Sequence, residues 1–369
     1  MRRMRTSRRA LAVAAVGTAA ATTAALAAAT STGPSPALIS AAKQEGKLNT
    51  IALPPDWANY GELMSTFQRK YGLKITNANP NGSSAQELQA VVSLKGQSRA
   101  PDVVDVGPAF AIQGAQQELF APYKVSTWAS IPASMKDPNG RWVGDYWGVV
   151  SFGVNTKVIK DVPHTWADLL KPEYKGKVAL NGDPRTSGSA LAGVFSAALA
   201  NGGSPSNVEP GIRFFQKLKQ SGNFIPVDAT PATVASGQTP ITIDWDYLNL
   251  SYTKEFAKQG VSWTVSIPKT GVYGAFYAQA INAQAPNPNA AKLWEEFLYS
   301  DQGQLLFLKG FTHPARFADL AKRHRIPAAL LKALPAASAY ARVRFANDAQ
   351  QTAAKDLVTK EWGPKVAGS

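Results

Sequence analysis

The sequence has no cysteine among its 369 residues and only three histidines. The absence of cysteine excludes disulfides, thiol catalysis and thiolate metal sites. It also excludes a lipoprotein anchor, which needs a cysteine directly after the signal. The histidines, His164, His313 and His324, lie outside the segments where strands are predicted to end. We therefore expect surface or packing roles for them, and the sequence predicts no cofactor and no metal site.

Signatures of catalysis are missing as well. The sequence contains no Gly-x-Ser-x-Gly elbow, no His-Glu-x-x-His motif and no Walker phosphate loop. Asp244 and Asp246 could in principle serve a glycoside hydrolase, but side chains two residues apart on a strand point to one side instead of flanking a bond. The protein is predicted not to be an enzyme, with an exported hydrolase as a remote alternative. An adhesive or structural protein is disfavoured because no internal repeat is found.

The N-terminus has the pattern of an export signal. Five arginines in Met1–Arg9 precede the uncharged, alanine-rich stretch Ala10–Ala29, which predicts a signal peptide over 1–29. Ser7–Leu11 also resembles a twin-arginine signal. The protein is therefore expected in a periplasm, or secreted if the source has no outer membrane. The Ser/Thr/Gly/Pro-rich residues that follow predict a flexible lead-in over 30–44.

The charge balance is basic, with a formal net charge of +14. Part of the excess is in the signal, and residues 316–369 contribute ten Lys/Arg against four Asp/Glu. Such a balance can indicate nucleic-acid binding. Export and the lack of any nucleic-acid-binding motif argue against it, so we interpret the excess as a solvated basic face.

The remaining chain alternates between strand and helix patterns. Leu48–Leu53, Leu73–Thr76 and Pro101–Gly107 are predicted strands, separated by helices whose capping boxes begin at Asn59 and Ser84. This β-α-β-α-β order predicts a mostly parallel sheet and an α/β fold class.

The pattern then restarts in a second unit. Predicted strands follow at Trp147–Asn155, Lys177–Leu180, Phe224–Val227, Pro240–Ile243, Val261–Ile267 and Tyr273–Ile281, and predicted helices at Thr165–Leu170, Ser187–Ala200, Gly211–Leu218 and Asn289–Tyr299. About 340 residues are too many for one ordinary core, so two α/β units are expected, joined by strands near 147–155 and 262–281.

Six segments of the chain are similar to the family 1 extracellular solute-binding proteins, in the branch that holds iron(III), polyamine, thiamine and aminophosphonate binders. These segments are Asp56–Glu62, Pro101–Gly107, Trp166–Leu170, Pro172–Val178, Gly182–Gly188 and Asn287–Trp294. The resemblance implies a two-lobe, type II Venus-flytrap fold with two hinge crossings. It further implies a monomer that closes on a small-molecule ligand between its lobes and delivers it to ABC permease subunits in the inner membrane.

The lobe boundaries follow from combining this resemblance with the element order. We expect an N-lobe over 45–150 and 280–345, a C-lobe over 155–265 and a helical C-terminal tail over 346–369. In open α/β sheets, ligands bind beyond the carboxyl ends of the strands. The candidate ligand-binding residues share positions at strand ends or helix starts: Asp56, Trp57, Tyr60, Arg185, Thr186, Ser187, Gly188, Asp244, Trp245, Asp246, Tyr247 and Tyr273.

Two kinds of chemistry are present in these loops. Arg185–Ser189 opens an alanine-rich helix, whose N-terminus could hold an anion or could simply be capped by Thr186 or Ser187. Asp244–Tyr247 and Asp56–Tyr60 combine acids with aromatic rings, which suits an organic cation; alternatively, an Asp caps a helix and the Trp packs in the core. We favour an organic cation such as spermidine or putrescine. Iron(III), thiamine and 2-aminoethylphosphonate are alternatives, although the adjacent tyrosine pair of iron binders is absent.

Overall fold

A computed structural model describes residues 33–368 of the chain. The predicted signal peptide over 1–29 lies outside the described residues. The predicted lead-in over 30–44 is helical from Pro36 onwards, because Ser35 caps the first helix and accepts a hydrogen bond from the Leu38 N–H. Within residues 33–368, no helix is both long and apolar enough to cross a membrane.

The strands are β1 (Lys47–Ile51), β2 (Lys74–Ala78), β3 (Val103–Val106), β4 (Phe120–Ala121), β5 (Val143–Asn155), β6 (Val178–Leu180), β7 (Ile241–Trp245), β8 (Trp263–Ser266), β9 (Gly274–Asn282) and β10 (His313–Pro314). The α-helices are α1 (Pro36–Glu45), α2 (Tyr60–Tyr71), α3 (Ser84–Ser93), α4 (Pro108–Gln116), α5 (Gly188–Ala200), α6 (Glu209–Gln220), α7 (Pro231–Ala235), α8 (Asp246–Lys258), α9 (Pro288–Leu298), α10 (Asp301–Lys309), α11 (Phe317–Lys322), α12 (Ala328–Ala333) and α13 (Asp348–Trp362). Short 3₁₀ segments connect several of them.

Two sheets organise the described residues. Strands β1 and β2 form a parallel pair, and the larger, eight-stranded sheet has the order β3-β9-β5-β7-β6, with β4 on β9 and with β8 and β10 on β5. The prediction of a mostly parallel sheet is wrong for the larger sheet. In it β6–β7 is parallel, while β5 and β9 run antiparallel to each of their neighbours. Their direction is reversed because they carry the chain between the two α/β units.

Strand β5 links two halves of the larger sheet. Its residues Val143–Val149 pair with β9, and Val150–Asn155 pair with β7 and β8. We call the part containing β3, β4, β9 and β10 the β9 half, and the part containing β6, β7 and β8 the β7 half. The chain returns between β8 and β9, where the Val150 N–H donates to the Tyr273 carbonyl at 3.0 Å. These are the two hinge crossings that the resemblance predicts.

One predicted strand is missing, and the C-terminal helix packs against helices of both halves. Phe224–Val227 forms only a single bridge, between Phe224 and Val178, because Pro226 lacks the N–H that a ladder needs. Helix α13 packs against both α4 and α6, so the C-terminal segment contacts both halves of the molecule.

Candidate functional site

A cavity of about 810 Å³ separates the two halves beyond the ends of β3 and β6. Its walls come from the 52–57 loop, the N-terminal part of α3 and Tyr277 on one side, and from 181–189, 228–232 and α8 on the other. Five acidic side chains line it: Asp56, Glu87, Asp105, Asp183 and Asp228. Within the described residues, no Lys, Arg or His is among those that line it, so the side chains of ordinarily charged types in this wall are all acidic.

Helix α3 contributes the acid that is buried deepest in the wall. Its capping box is formed by Ser83 and Gln86, where the Ser83 Oγ accepts from the Gln86 N–H at 3.4 Å and the Gln86 Oε1 accepts from the Ser83 N–H at 2.8 Å. The prediction of a capping box at Ser84–Glu87 is therefore wrong by one residue. Because Glu87 is not needed at the cap, its Oε2 accepts from the Asp105 N–H at 2.9 Å, and burial raises the pKa of this carboxyl well above its usual range.

Asp105, at the end of β3, is positioned by two phenols. Its Oδ2 accepts from the Tyr60 hydroxyl at 2.7 Å and from the Tyr146 hydroxyl at 3.0 Å, while its Oδ1 is buried without a hydrogen-bond partner. Burial raises the pKa of Asp105 to about 7. Tyr60 itself is fully buried and is not among the residues that line the cavity, so it contacts the site through Asp105.

Asp56 and Trp57 face the same cavity from the loop after β1. Burial raises the pKa of Asp56. The Trp57 indole N–H donates to the Tyr146 hydroxyl at 2.7 Å, and its ring meets Tyr277 edge-on at 5.3 Å between centroids. The two residues therefore place a carboxylate and a fixed aromatic surface side by side.

The opposite wall is the start of α5. The Ser187 Oγ accepts from the Ala190 N–H at 3.3 Å and donates to the Asn181 carbonyl at 2.9 Å, which caps the helix and ties it to the end of β6. Thr186, Ser187 and Gly188 line the cavity, and the first N–H groups of a helix have no partner within it. Arg185 does not line the cavity, because its guanidinium binds Asp183 at 2.6 Å.

The two acids at the end of β7 and the start of α8 lie in different places. Asp244 is buried behind Asn181, whose side-chain amide donates to it at 2.6 Å, and burial raises its pKa to about 7. Asp246 accepts from the Val149 N–H at 2.9 Å and from the Tyr340 hydroxyl at 2.7 Å, next to the hinge. The expectation that the two acids point to one side is wrong, because β7 ends at Trp245 and Asp246 begins α8.

The remaining aromatic candidates are in the packed interior. Trp245 and Tyr247 are buried and stack with centroids 6.1 Å apart; the Trp245 indole nitrogen and the Tyr247 hydroxyl have no hydrogen-bond partner. Tyr273 stacks on Phe195 at 4.6 Å and accepts from the Gln351 side-chain amide at 2.8 Å. None of the three lines the cavity, and their role in binding stays a prediction.

The structure thus brings five of the predicted residues to one cavity: Asp56, Trp57, Thr186, Ser187 and Gly188. It adds residues that were not among the predicted ligand-binding residues, namely Glu87, Asp105, Asp183, Asp228, Tyr252 and Tyr277. A signal for Asp105 was present, since it is an acid inside an otherwise apolar strand, Val103–Val106. Within residues 33–368, no three His, Asp or Glu side chains are grouped so that they could hold a metal ion.

A sheet crossed twice by the chain, with a polar cavity between its halves, defines the class of type II periplasmic binding proteins. Two solved structures of this class are similar to the chain. The periplasmic binding protein P5PA has a TM-score of 0.70 and 18% identity, and the match covers 87% of this chain and 99% of P5PA. AfuA from Actinobacillus pleuropneumoniae, solved with fructose-6-phosphate bound, has a TM-score of 0.68 and 19% identity, and the match covers 88% of this chain and 99% of AfuA. At these identities the likeness shows the fold alone.

The chain belongs to the bacterial extracellular solute-binding protein family, whose model matches residues 98–338. The family consists of solute-binding, non-enzymatic components of transport. The chain is similar to a Salmonella typhimurium protein named for binding 2-aminoethylphosphonate, with 24% identity over 66% of this chain. It is also similar to the spermidine/putrescine-binding periplasmic protein of Escherichia coli, with 29% identity over 44% of this chain. The matched segments span 46% to 70% of the lengths of the curated relatives.

Proposed function

We propose that the protein captures a small organic cation, with a polyamine such as putrescine or spermidine as the favoured ligand. The observation that carries this proposal is the set of five carboxyl groups around a cavity whose lining residues include no basic side chain. An anionic ligand would find no basic side chain in this lining. Asp183 is already paired with Arg185, and an ammonium group of the ligand would supply a positive charge to the other four carboxyl groups.

The burial of the acids supports the same conclusion. Burial raises the pKa values of Asp56, Glu87, Asp105 and Asp228 above their ordinary range. A buried carboxylate is costly unless a cation or hydrogen bonds compensate for it. A diamine that enters the cavity provides one positive charge at each end, so it can neutralise separate members of the group.

Aromatic rings add a second attraction for the same ligand class. Trp57, Tyr252 and Tyr277 line the cavity, and a cation over an aromatic face gains about 0.5–2 kcal/mol. The similarity to the Escherichia coli spermidine/putrescine-binding protein is consistent with this chemistry.

A second candidate is 2-aminoethylphosphonate. The N-termini of α3 and α5 both face the cavity, and Ser83, Ser84, Thr186 and Ser187 add hydroxyl groups there. These groups could hold a phosphonate while a carboxyl group binds the amine, and the Salmonella relative is named for this ligand. The missing basic side chain makes it the second choice.

The wider assignment completes the proposal. We infer that the chain carries a signal peptide over 1–29, leaves the cytoplasm by the general or the twin-arginine route, and works as a periplasmic monomer. Loaded with ligand, it would dock on the permease subunits of an ABC importer. The two lobes would correspond to 45–150 with 280–345, and to 155–265, on either side of the hinge crossings.

Isothermal titration calorimetry tests the ligand. Putrescine and spermidine should bind, whereas N-acetylputrescine, which has lost one charge, should bind at least tenfold more weakly. Glu87→Gln keeps the shape of the side chain and should weaken putrescine binding by about 1–3 kcal/mol. Asp161→Asn, at an exposed acid away from the cavity, is the matched control. Binding of 2-aminoethylphosphonate or iron(III) with no response to either polyamine would overturn the proposal. Binding of thiamine, which is itself an organic cation, without a response to the polyamines would keep the ligand class and overturn the choice of a polyamine.

A further inference from the structure

Gly107 and Gly188 meet backbone to backbone between the two halves of the molecule. Gly107 follows β3 in the β9 half, and Gly188 is the first residue of α5 in the β7 half. A Cβ atom on Gly107 would lie 3.0 Å from the Gly188 Cα, and a Cβ on Gly188 would lie 3.0 Å from the Gly107 Cα. Non-bonded carbon atoms prefer about 3.5–4.0 Å. A Cβ at either position would therefore push the facing backbone away by a few tenths of an ångström.

Backbone conformation does not explain the choice of glycine here. Gly107 has φ −60° and ψ 156°, which any residue adopts. Gly188 has helical geometry and no positive φ, and glycine at a helical position is less favourable than alanine. The close contact with the other half remains as the physical reason for glycine at both positions.

Hydrogen bonds anchor the backbone at Gly107 and next to Gly188 within their own halves. The Gly107 N–H donates to the Ser84 Oγ at 3.1 Å, and the neighbouring Ser187 Oγ donates to the Asn181 carbonyl at 2.9 Å. One further hydrogen bond joins the halves beside this contact, from the Ala85 N–H to the Thr186 carbonyl at 3.2 Å. The two halves thus touch through main-chain atoms that have little freedom to move aside.

The contact lies between the cavity and a hinge crossing. On one side, Gly188 lines the ligand cavity. On the other, Gly107 and Gly188 border a narrow gap that also touches Tyr273 and Ala275, at the second crossing. A displacement this close to a hinge is amplified at the far end of the cavity, because the halves move as levers about the crossings.

We propose that the Gly107–Gly188 contact is the stop that sets the closed position of the cleft. A side chain at either position acts as a wedge and holds the halves apart. The ligand then loses contacts with one wall, so affinity falls through faster dissociation while association is unchanged. This inference rests on the proposed function only for the choice of probe ligand, since the contact itself involves no ligand atom.

The test uses the variants G107A, G188A, the double variant G107A/G188A and G188L. Gly33→Ala is the matched control, because a Cβ at Gly33 meets no atom within 4 Å. Since the chain has no native cysteine, spin labels at Ser93→Cys and Gln238→Cys, both exposed and on opposite halves, report the interlobe distance by double electron–electron resonance. Measurements are made without ligand and with saturating putrescine, and thermal melts verify folding.

The shortest distance between the labels should increase from the parent to the single alanine variants, then to G107A/G188A and then to G188L. The affinity for putrescine should fall by about tenfold or more in G188L. G33A should match the parent. The proposal is overturned if G188L and the double variant, both folded, reach the same shortest distance as the parent. If putrescine does not bind the parent protein, that result counts against the proposed function. The label distances measured without ligand then still test whether the Gly107–Gly188 contact sets the closed position.

Discussion

Lowering the pH from 8 to 6 is expected to weaken the binding of putrescine by about tenfold. The relevant groups are Asp105, which lines the cavity, and the buried Asp145, which titrates together with it because both carboxyl groups accept from the Tyr60 hydroxyl. Burial raises the pKa of Asp105 to about 7. A carboxyl with this pKa is about 10% protonated at pH 8 and about 90% protonated at pH 6. The amines of putrescine resemble the lysine amine, with a pKa near 10, and stay charged throughout.

The magnitude follows from the population of the charged acid. If the cation binds only when Asp105 is ionised, the observed affinity is the intrinsic affinity multiplied by the ionised fraction, and a fall from about 0.9 to about 0.1 costs roughly 1.3 kcal/mol. Burial and the Asp105 charge raise the pKa of Glu87 as well, so protonation of this carboxyl on acidification acts in the same direction. Ligand binding at pH 7 should release protons into the buffer.

Calorimetry at pH 6, 7 and 8 measures the putrescine affinity at each pH. Repeating it in phosphate and in Tris measures the number of protons released, because the two buffers differ in ionisation enthalpy. Asp105→Asn should bind putrescine more weakly than the parent and should show a flatter pH dependence between 6 and 8. If the parent binds putrescine equally well at pH 6 and pH 8 and releases no proton, the acids of the cavity do not contact the cation, and the reasoning from burial is refuted.

Two further predictions concern the protein without ligand. The free energy of unfolding should decrease as the pH rises from about 5 to about 8. The folded state keeps protons on Asp105, Asp244 and Asp246, whose pKa values are about 7, 7 and 6, whereas the unfolded chain has released these protons by about pH 5. Urea unfolding at pH 5 and pH 8 measures this change, and a higher stability at pH 8 would contradict it. Tyr340→Phe removes the hydroxyl that donates to Asp246 at 2.7 Å and should lower the free energy of unfolding by about 1–3 kcal/mol. Tyr299→Phe removes a buried hydroxyl that donates to the neutral Val143 carbonyl at 2.7 Å, and it should lower the free energy of unfolding by less. Equal losses in the two variants would show that the charge of Asp246 adds nothing to the Tyr340 hydrogen bond.

Local patterns in the sequence were sufficient for the α/β class, for most elements and for part of the cavity. Asp56 and Trp57 follow a strand that ends at prolines, and Thr186, Ser187 and Gly188 precede an alanine-rich helix. Such signals depend on neighbours within a few residues, so they can be recognised without knowing the fold. The place where strand ends converge then follows from the general geometry of open α/β sheets.

The tertiary structure decided which side chains face the cavity and which are packed behind it. Glu87 takes part in the wall and not in the helix cap, because Ser83 and Gln86 form the capping box and the Glu87 carboxyl accepts from the distant Asp105 N–H. Asp244 and Asp246 are only two residues apart in the sequence, but they separate because β7 ends between them. The contact of Gly107 with Gly188 joins residues 81 positions apart. Burial, charge and close approach at these positions depend on contacts distant in the chain, and a local pattern contains no information about such contacts.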